Sequence, residues 1–170
     1  LGGAHEFLSP GRATMTPAVL ALEQAAVSHR VLEVASYEGP QRQQRLADSL
    51  GVPMQAIFKT LVAKLDSGSL VVAIVPIQAE LQLKSLAAAA GGKKAVMAAA
   101  QEAQAATGYV LGGISPLGQR RRLATFADQS LAAHSLVYVS AGRRGLELEL
   151  APQDLIRLCG ITLAGLARPS

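Results

Sequence analysis

Two apolar, β-rich runs, Phe58 to Leu65 and Leu70 to Pro76, are separated only by the polar turn Asp66-Ser67-Gly68-Ser69. That spacing calls for a tight antiparallel hairpin. The stretch Leu70 to Ile77 is the longest unbroken apolar segment of the chain. Its length suits a strand, whereas a helix crossing a bilayer needs about 20 residues, so no membrane partner is expected. Leu136 to Ser140 and Leu146 to Leu150 predict a second hairpin across Gly142-Arg143-Arg144-Gly145. Short helices interleave with these strands. Thr16-Pro17 sets an N-cap before proline at the first helical position, followed by an apolar stripe of Val19, Leu20, Leu22 and Val27. His29 to Val34 reads as a strand, and Gln43 to Leu50 as a helix closed by Gly51. Leu83 to Ala90, Ala98 to Ala106 and Pro152 to Leu158 are the remaining helices, stopped at Gly91-Gly92, Gly108 and Gly160. Consecutive hairpins do not fit the strict βαβ alternation of a doubly wound parallel sheet. The expected class is α/β (α+β): one compact domain with a curved, mixed, mostly antiparallel sheet flanked by helices.

With 170 residues, 50% hydrophobic and 16% charged, the chain can bury a single core and is not disordered. Its one cysteine, Cys159, forms no internal disulfide, and no residues have zinc-site spacing, so no metal is expected. Residues 1–14 read as a remnant of an expression vector ahead of a natural start at Met15, leaving 15–170 as the domain. No charged and apolar export signal stands out, and the expected location is cytoplasmic. The net charge is +4. Between Gly112 and Gly145, Arg120, Arg121, Arg122, Arg143 and Arg144 oppose only Asp128, so the whole excess falls in one stretch. A local basic excess points to a polyanionic partner, although solubility explains many basic surfaces.

Lys59 is the most unusual position, a cation inside the otherwise apolar Phe58-Lys59-Thr60-Leu61-Val62. It either snorkels to solvent or meets an anion in a pocket. The segment Gly108 to Gly118 holds too many glycines and prolines for a regular element and reads as a shaped loop. Within it, Gly112-Gly113-Ile114-Ser115-Pro116 exposes backbone amides that suit a phosphate or an oxyanion, though a plain tight turn fits the pattern equally well. Ser115 lacks a nucleophile elbow, and His29 and His134 are the only bases beyond the leader. Tyr37 precedes the turn Gly39-Pro40 and either faces a pocket or caps a sheet edge. Glu147 and Glu149 share one strand face, open to an acid/base role or to plain solvation. Cys159 sits among Leu155, Ile156 and Leu158, as a buried structural thiol would.

Phe58-Lys59-Thr60-Leu61, Thr107-Gly108-Tyr109, Gly112 to Gln119 and Gly142-Arg143-Arg144-Gly145-Leu146 occur in this order after the start Met15-Thr16-Pro17-Ala18-Val19. In this series the chain resembles the YbaK-type aminoacyl-tRNA deacylases from Met15 to its C-terminus. The likeness is closest to the Cys-tRNA(Pro) deacylase branch, and looser to the alanyl-tRNA(Pro) branch and the editing insertion of prolyl-tRNA synthetases. The resemblance implies a barrel-like mixed sheet and trans-editing of cysteine misattached to tRNA(Pro), with no cofactor. Lys59 falls on the family's functional lysine, Gly112 to Pro116 on its substrate loop, and Tyr37 on a pocket tyrosine. Glu147 stands where related sequences carry an aspartate, one methylene shorter. The resemblance further implies substrate-assisted chemistry, in which the cysteinyl thiol attacks its own ester. Lys59 would then hold the 3′ end, the amides around Gly113 to Ser115 would face the carbonyl oxygen, and the arginines would meet tRNA. It also implies a ternary complex with prolyl-tRNA synthetase. Two other classes stay open: a non-catalytic tRNA-binding module, and a hydrolase of small esters acting through Ser115 or a carboxylate.

Overall fold

The computed structural model describes residues 5–8 and 14–168. The first hairpin forms as expected: β3 (Phe58–Leu65) pairs with β4 (Leu70–Pro76), Phe58 opposite Pro76 and Lys64 opposite Leu70. Three further strands, β6 (Ala95–Met97), β7 (Ala124–Asp128) and β10 (Thr162–Ala164), extend it. The result is a five-stranded sheet in the order β10-β7-β4-β3-β6. The second hairpin, β8 (Val137–Arg143) with β9 (Leu146–Leu150), joins β2 (His29–Val34) and β1 (His5–Leu8) in a four-stranded sheet ordered β1-β2-β9-β8. A two-stranded piece, β5 (Glu80–Leu81) with β11 (Ala167–Arg168), stands apart. Pairing is antiparallel except where β7 runs parallel to β4 and to β10. A mixed, mostly antiparallel architecture is therefore present. It departs from a closed barrel: two separate sheets touch through a parallel bridge between Ile57 and Tyr138. Within the segment read from sequence as an expression-vector remnant, residues 5–8 form β1 and pair along β2; backbone pairing to an open edge requires no side-chain pattern.

Alternation along the strands explains the layering. Val62, Val72 and Ile74 point between the two large sheets, meeting Val31, Val139 and Leu148 from the other side. Ala63, Ala73 and Val75 point outward, under α3 (Leu83–Ala89), which contributes Leu86 and Ala87. Both faces of β4 are covered, which is why its sequence is continuously apolar rather than alternating. On the outer face of the four-stranded sheet, Leu32, Val34 and Tyr138 pack under α2 (Arg42–Leu50) through Ala47 and Leu50. Glycine ends α2 as expected, Gly51 adopting the left-handed conformation.

Three helices close the inner core at its ends: α1 (Pro17–Gln24), α4 (Ala100–Thr107) and α5 (Pro152–Cys159). Thr16 caps α1 as predicted, accepting the Val19 amide at 3.2 Å and donating to the Ala141 carbonyl. That hydroxyl ties the start of α1 to β8. Among the described residues no helix is long and apolar enough to cross a membrane.

Candidate active site

A cavity of about 600 Å³ opens beside the Ile57–Tyr138 bridge. The first half of β3 supplies one wall, with Lys59 and Thr60 in it, and Glu147 of β9 contributes another. Tyr37, which follows β2, and Arg42, which opens α2, complete the rim on that side. Gly112 and Ile114 of the glycine-rich loop, together with Arg143 and Arg144 at the β8–β9 turn, also line the cavity.

Of the two fates open to Lys59, the structure shows the cavity: the side chain is half-buried in its wall. Burial holds its ammonium below the usual lysine range, Glu80 opposes that shift, and the Arg42 guanidinium adds to it. Glu80 is itself paired with Arg168 at 2.9 Å. Glu147 behaves in the opposite way. Its carboxyl is enclosed, and burial pushes its pKa up to about 8. Near neutral pH it is mostly a neutral acid that can donate a hydrogen bond. Glu149, two residues on, is engaged elsewhere, accepting from the Tyr138 hydroxyl at 2.6 Å and pairing with Arg30 at 3.6 Å. Neither glutamate is fully exposed: Glu149 is buried and Glu147 is partly buried in the cavity wall.

The loop between α4 and β7 is pinned from inside. Tyr109 is buried, and its hydroxyl donates to the Leu117 carbonyl at 2.6 Å, drawing the two ends of the loop together. Gly113 lies so near the β8–β9 turn that a Cβ would sit 2.9 Å from the Arg143 Cα, so only glycine lets the two segments meet. Its amide donates to the Val110 carbonyl at 3.0 Å. The amides of Gly112 and Ile114 have no backbone partner among the described residues, and both residues line the cavity.

Residues 41–158 match the aminoacyl-tRNA editing domain. The chain belongs to this family. It is 38% identical over 143 residues to a candidate Cys-tRNA(Pro)/Cys-tRNA(Cys) deacylase, EbsC, of Enterococcus faecalis, covering 84% of this chain and 87% of the relative. The fold is similar to the crystal structure of a candidate trans-editing enzyme for prolyl-tRNA synthetase (TM-score 0.81, 23% identity, 94% of this chain and 99% of the other). A hypothetical protein, APE2540, is similar as well (TM-score 0.79, 25% identity, 90% of this chain and 100% of the other).

In this editing domain the cavity gathers seven of the residues singled out from sequence: Tyr37, Lys59, Gly112, Ile114, Arg143, Arg144 and Glu147. Gly113, Ser115 and Pro116 do not line it. Ser115 is fully buried, its hydroxyl accepting the Leu117 amide at 3.3 Å and its carbonyl accepting from Gln119 at 2.9 Å. Pro116 instead borders a smaller cleft of about 190 Å³ on the other side of the loop, along with Arg121, Arg122 and Cys159. There the Cys159 thiol donates to the Pro116 carbonyl at 3.3 Å, and burial pushes its pKa up to about 12. Arg120, Arg121 and Arg122 are absent from the cavity wall, and Arg121 and Arg122 are exposed.

Arg42 and Thr60 are among the wall residues that escaped the sequence reading. Arg42 carried a signal, because a cation in the first turn of a helix opposes the macrodipole. Thr60, next to Lys59, has a buried hydroxyl without a hydrogen-bond partner among the described residues, and a strand threonine gives no sequence cue.

Proposed function

We propose that this chain is a trans-editing deacylase that removes cysteine misattached to tRNA(Pro). The observation that supports this reading best is the make-up of the cavity wall: cations, free backbone amides and a neutral acid, with no histidine or cysteine. Among the described residues the wall thus lacks the imidazole or thiolate of a conventional nucleophilic site. An aminoacyl ester bearing its own thiol requires neither. The thiol sulfur bonds to the carbonyl carbon, and the carbon–oxygen bond to the tRNA breaks. The thiol proton passes to the departing 3′ oxygen, and cysteine leaves as a thiolactone. What the protein supplies is placement and stabilisation of charge.

Lys59 binds the 3′ end of the tRNA. The Gly112 and Ile114 amides receive the negative charge that develops on the carbonyl oxygen. Glu147, protonated, donates a hydrogen bond into the same space. Arg143 and Arg144 meet the backbone of the acceptor strand, with Arg144 stacked against Gly112: a Cβ on that glycine would lie 3.3 Å from the guanidinium Nε. Tyr37 shapes the cavity wall, steadied by the Arg45 guanidinium 4.6 Å above its ring. Gly113, Ser115 and Pro116 act indirectly, by fixing the loop. No cofactor takes part.

The chain carries three Phe, three Tyr and no Trp, so base stacking cannot dominate its grip on RNA. Phosphate contacts carry little sequence information. Prolyl-tRNA synthetase, in a ternary complex, therefore reads the tRNA identity. The test is a deacylation panel with Cys-, Ser-, Ala- and Pro-tRNA(Pro). Serine is nearly isosteric with cysteine, but its hydroxyl does not ionise near the thiol pKa of about 8.5. Cys-tRNA(Pro) should be cleared far faster than Ser-tRNA(Pro). Equal rates would replace the thiolactone route with attack by water.

A further inference from the structure

We infer that Arg42, together with Lys59, grips the phosphodiester on the 5′ side of the terminal aminoacylated adenosine. This makes Arg42 a substrate-binding residue, and the inference rests on the deacylase reading above.

The argument begins with charge. Arg42 and Lys59 line the same cavity from different elements, α2 and β3. Each disfavours the other, and the guanidinium lowers the affinity of the lysine for its proton. Glu80, outside the wall, offsets part of this from a distance but is itself paired with Arg168 at 2.9 Å, and burial raises the pKa of Glu147, the one acid in the wall among the described residues. Two cations sharing a wall in this way call for an anionic ligand.

Chemistry then selects the anion. An aminoacyl ester has no free carboxylate, and its amino group is itself a cation. The nearest negative charge on a charged tRNA is the last phosphodiester. The cavity volume is within the range that holds a drug-sized ligand, well beyond a cysteinyl side chain, so nucleotide and aminoacyl group enter together.

Position agrees. Arg42 is the first residue of α2, where an anion is favoured by the helix dipole and a bare cation is not. The turn is held in place by Gln43, whose side chain donates to the Ile77 carbonyl at 2.8 Å. Arg42 itself makes only a long 3.4 Å contact with the Gly39 carbonyl, leaving most of its donor fork for a ligand. A guanidinium fork can bind a phosphate through two parallel hydrogen bonds.

The experiment compares Cys-tRNA(Pro) with the same molecule carrying an uncharged methylphosphonate at its last linkage. Both are assayed with wild-type enzyme, Arg42→Gln and Arg42→Lys. A charge-assisted hydrogen bond is worth about 1.5–3 kcal/mol, or about 10- to 150-fold. On the natural substrate, Arg42→Gln should lower kcat/KM by that factor, mainly through KM. Arg42→Lys should recover part of the loss, and all variants should keep the wild-type melting temperature. On the methylphosphonate substrate, Arg42→Gln should cost little further. Full multiplication of the two losses, or no loss for Arg42→Gln, overturns the assignment of Arg42 while leaving the deacylase reading intact. A wild-type enzyme inactive on natural Cys-tRNA(Pro) overturns the deacylase reading, and this assignment with it.

Discussion

Glu147 and Lys59 face one cavity, and burial moves both toward their neutral forms, the acid upward and the amine downward. The glutamate has a measurable consequence for stability. Its ordinary pKa of 4.5 becomes about 8 in the folded chain. Below the ordinary value both states hold the proton, and stability does not vary with pH through this group. As pH rises from there toward 8, the unfolded chain releases the proton while the folded chain keeps it, so stability falls. The slope reaches at most about 1.4 kcal/mol per pH unit. Glu147→Gln should remove that slope in urea titrations run at about pH 5 and about pH 8. Equal pH dependence in the two proteins would mean that Glu147 is ionised in the fold. Lys59 is tested through activity. Lys59→Ala should lower kcat/KM by about 10- to 150-fold, the worth of a charge-assisted hydrogen bond, without changing the melting temperature. An alanine variant with normal turnover would remove Lys59 from the site.

Between α4 and β7 the loop holds its shape through contacts that no single element could provide. Gly118, at φ +67°, abuts the first turn of α1, where a Cβ would run into the Pro17 carbonyl. Gly118→Ala should therefore cost about 3 kcal/mol or more in chemical denaturation, from left-handed strain plus the displaced helix start. Ser115→Ala and Cys159→Ala should instead retain substantial deacylation, because neither side chain reaches the cavity. Loss of activity in Cys159→Ala at unchanged stability would contradict that placement. The same loop marks how far the sequence could be read. Its irregular course is legible from its glycines, as are both hairpins and the Thr16 cap of α1. What the residue string does not hold is direction. Gly112 and Ile114 look into the cavity, while Ser115, next along the chain, turns inward, and only the β8–β9 turn pressing on Gly113 decides this. The short strands β6, β7, β10 and β11 are invisible in the sequence for a related reason. They are two to five residues long and rich in alanine, and they become strands by pairing with neighbours distant in sequence. Arg42 escapes because the sequence reading starts the helix at Gln43, one residue after α2 begins.

At the scale of the whole molecule the basic residues divide between two surfaces. Arg42, Lys59, Arg143 and Arg144 surround the cavity, whereas Arg120, Arg121 and Arg122 stand outside it, beyond the loop. The run is anchored by its backbone, the Arg120 and Arg121 amides donating to the Thr107 and Ala106 carbonyls at the end of α4. The side chains are thus carried on a fixed platform: Arg120 lies across Gly108, with its Nε 3.6 Å from where a Cβ would be. An acceptor end held in the cavity continues as a stem that must cross the surface of the protein, and a fixed cationic run is suited to its phosphates. Each phosphate contact releases condensed counterions, giving about 0.7 to 0.9 of log–log salt slope per contact. Replacing Arg120, Arg121 and Arg122 together with alanine should weaken tRNA binding and reduce that slope by one such step for every phosphate no longer neutralised. It should leave turnover of tRNA already bound nearly unchanged, since none of the three lines the cavity. Binding isotherms at several salt concentrations, paired with single-turnover deacylation at saturating enzyme, separate the two effects. An unchanged salt slope would assign the run to solvation alone and leave tRNA binding to the four cations around the cavity.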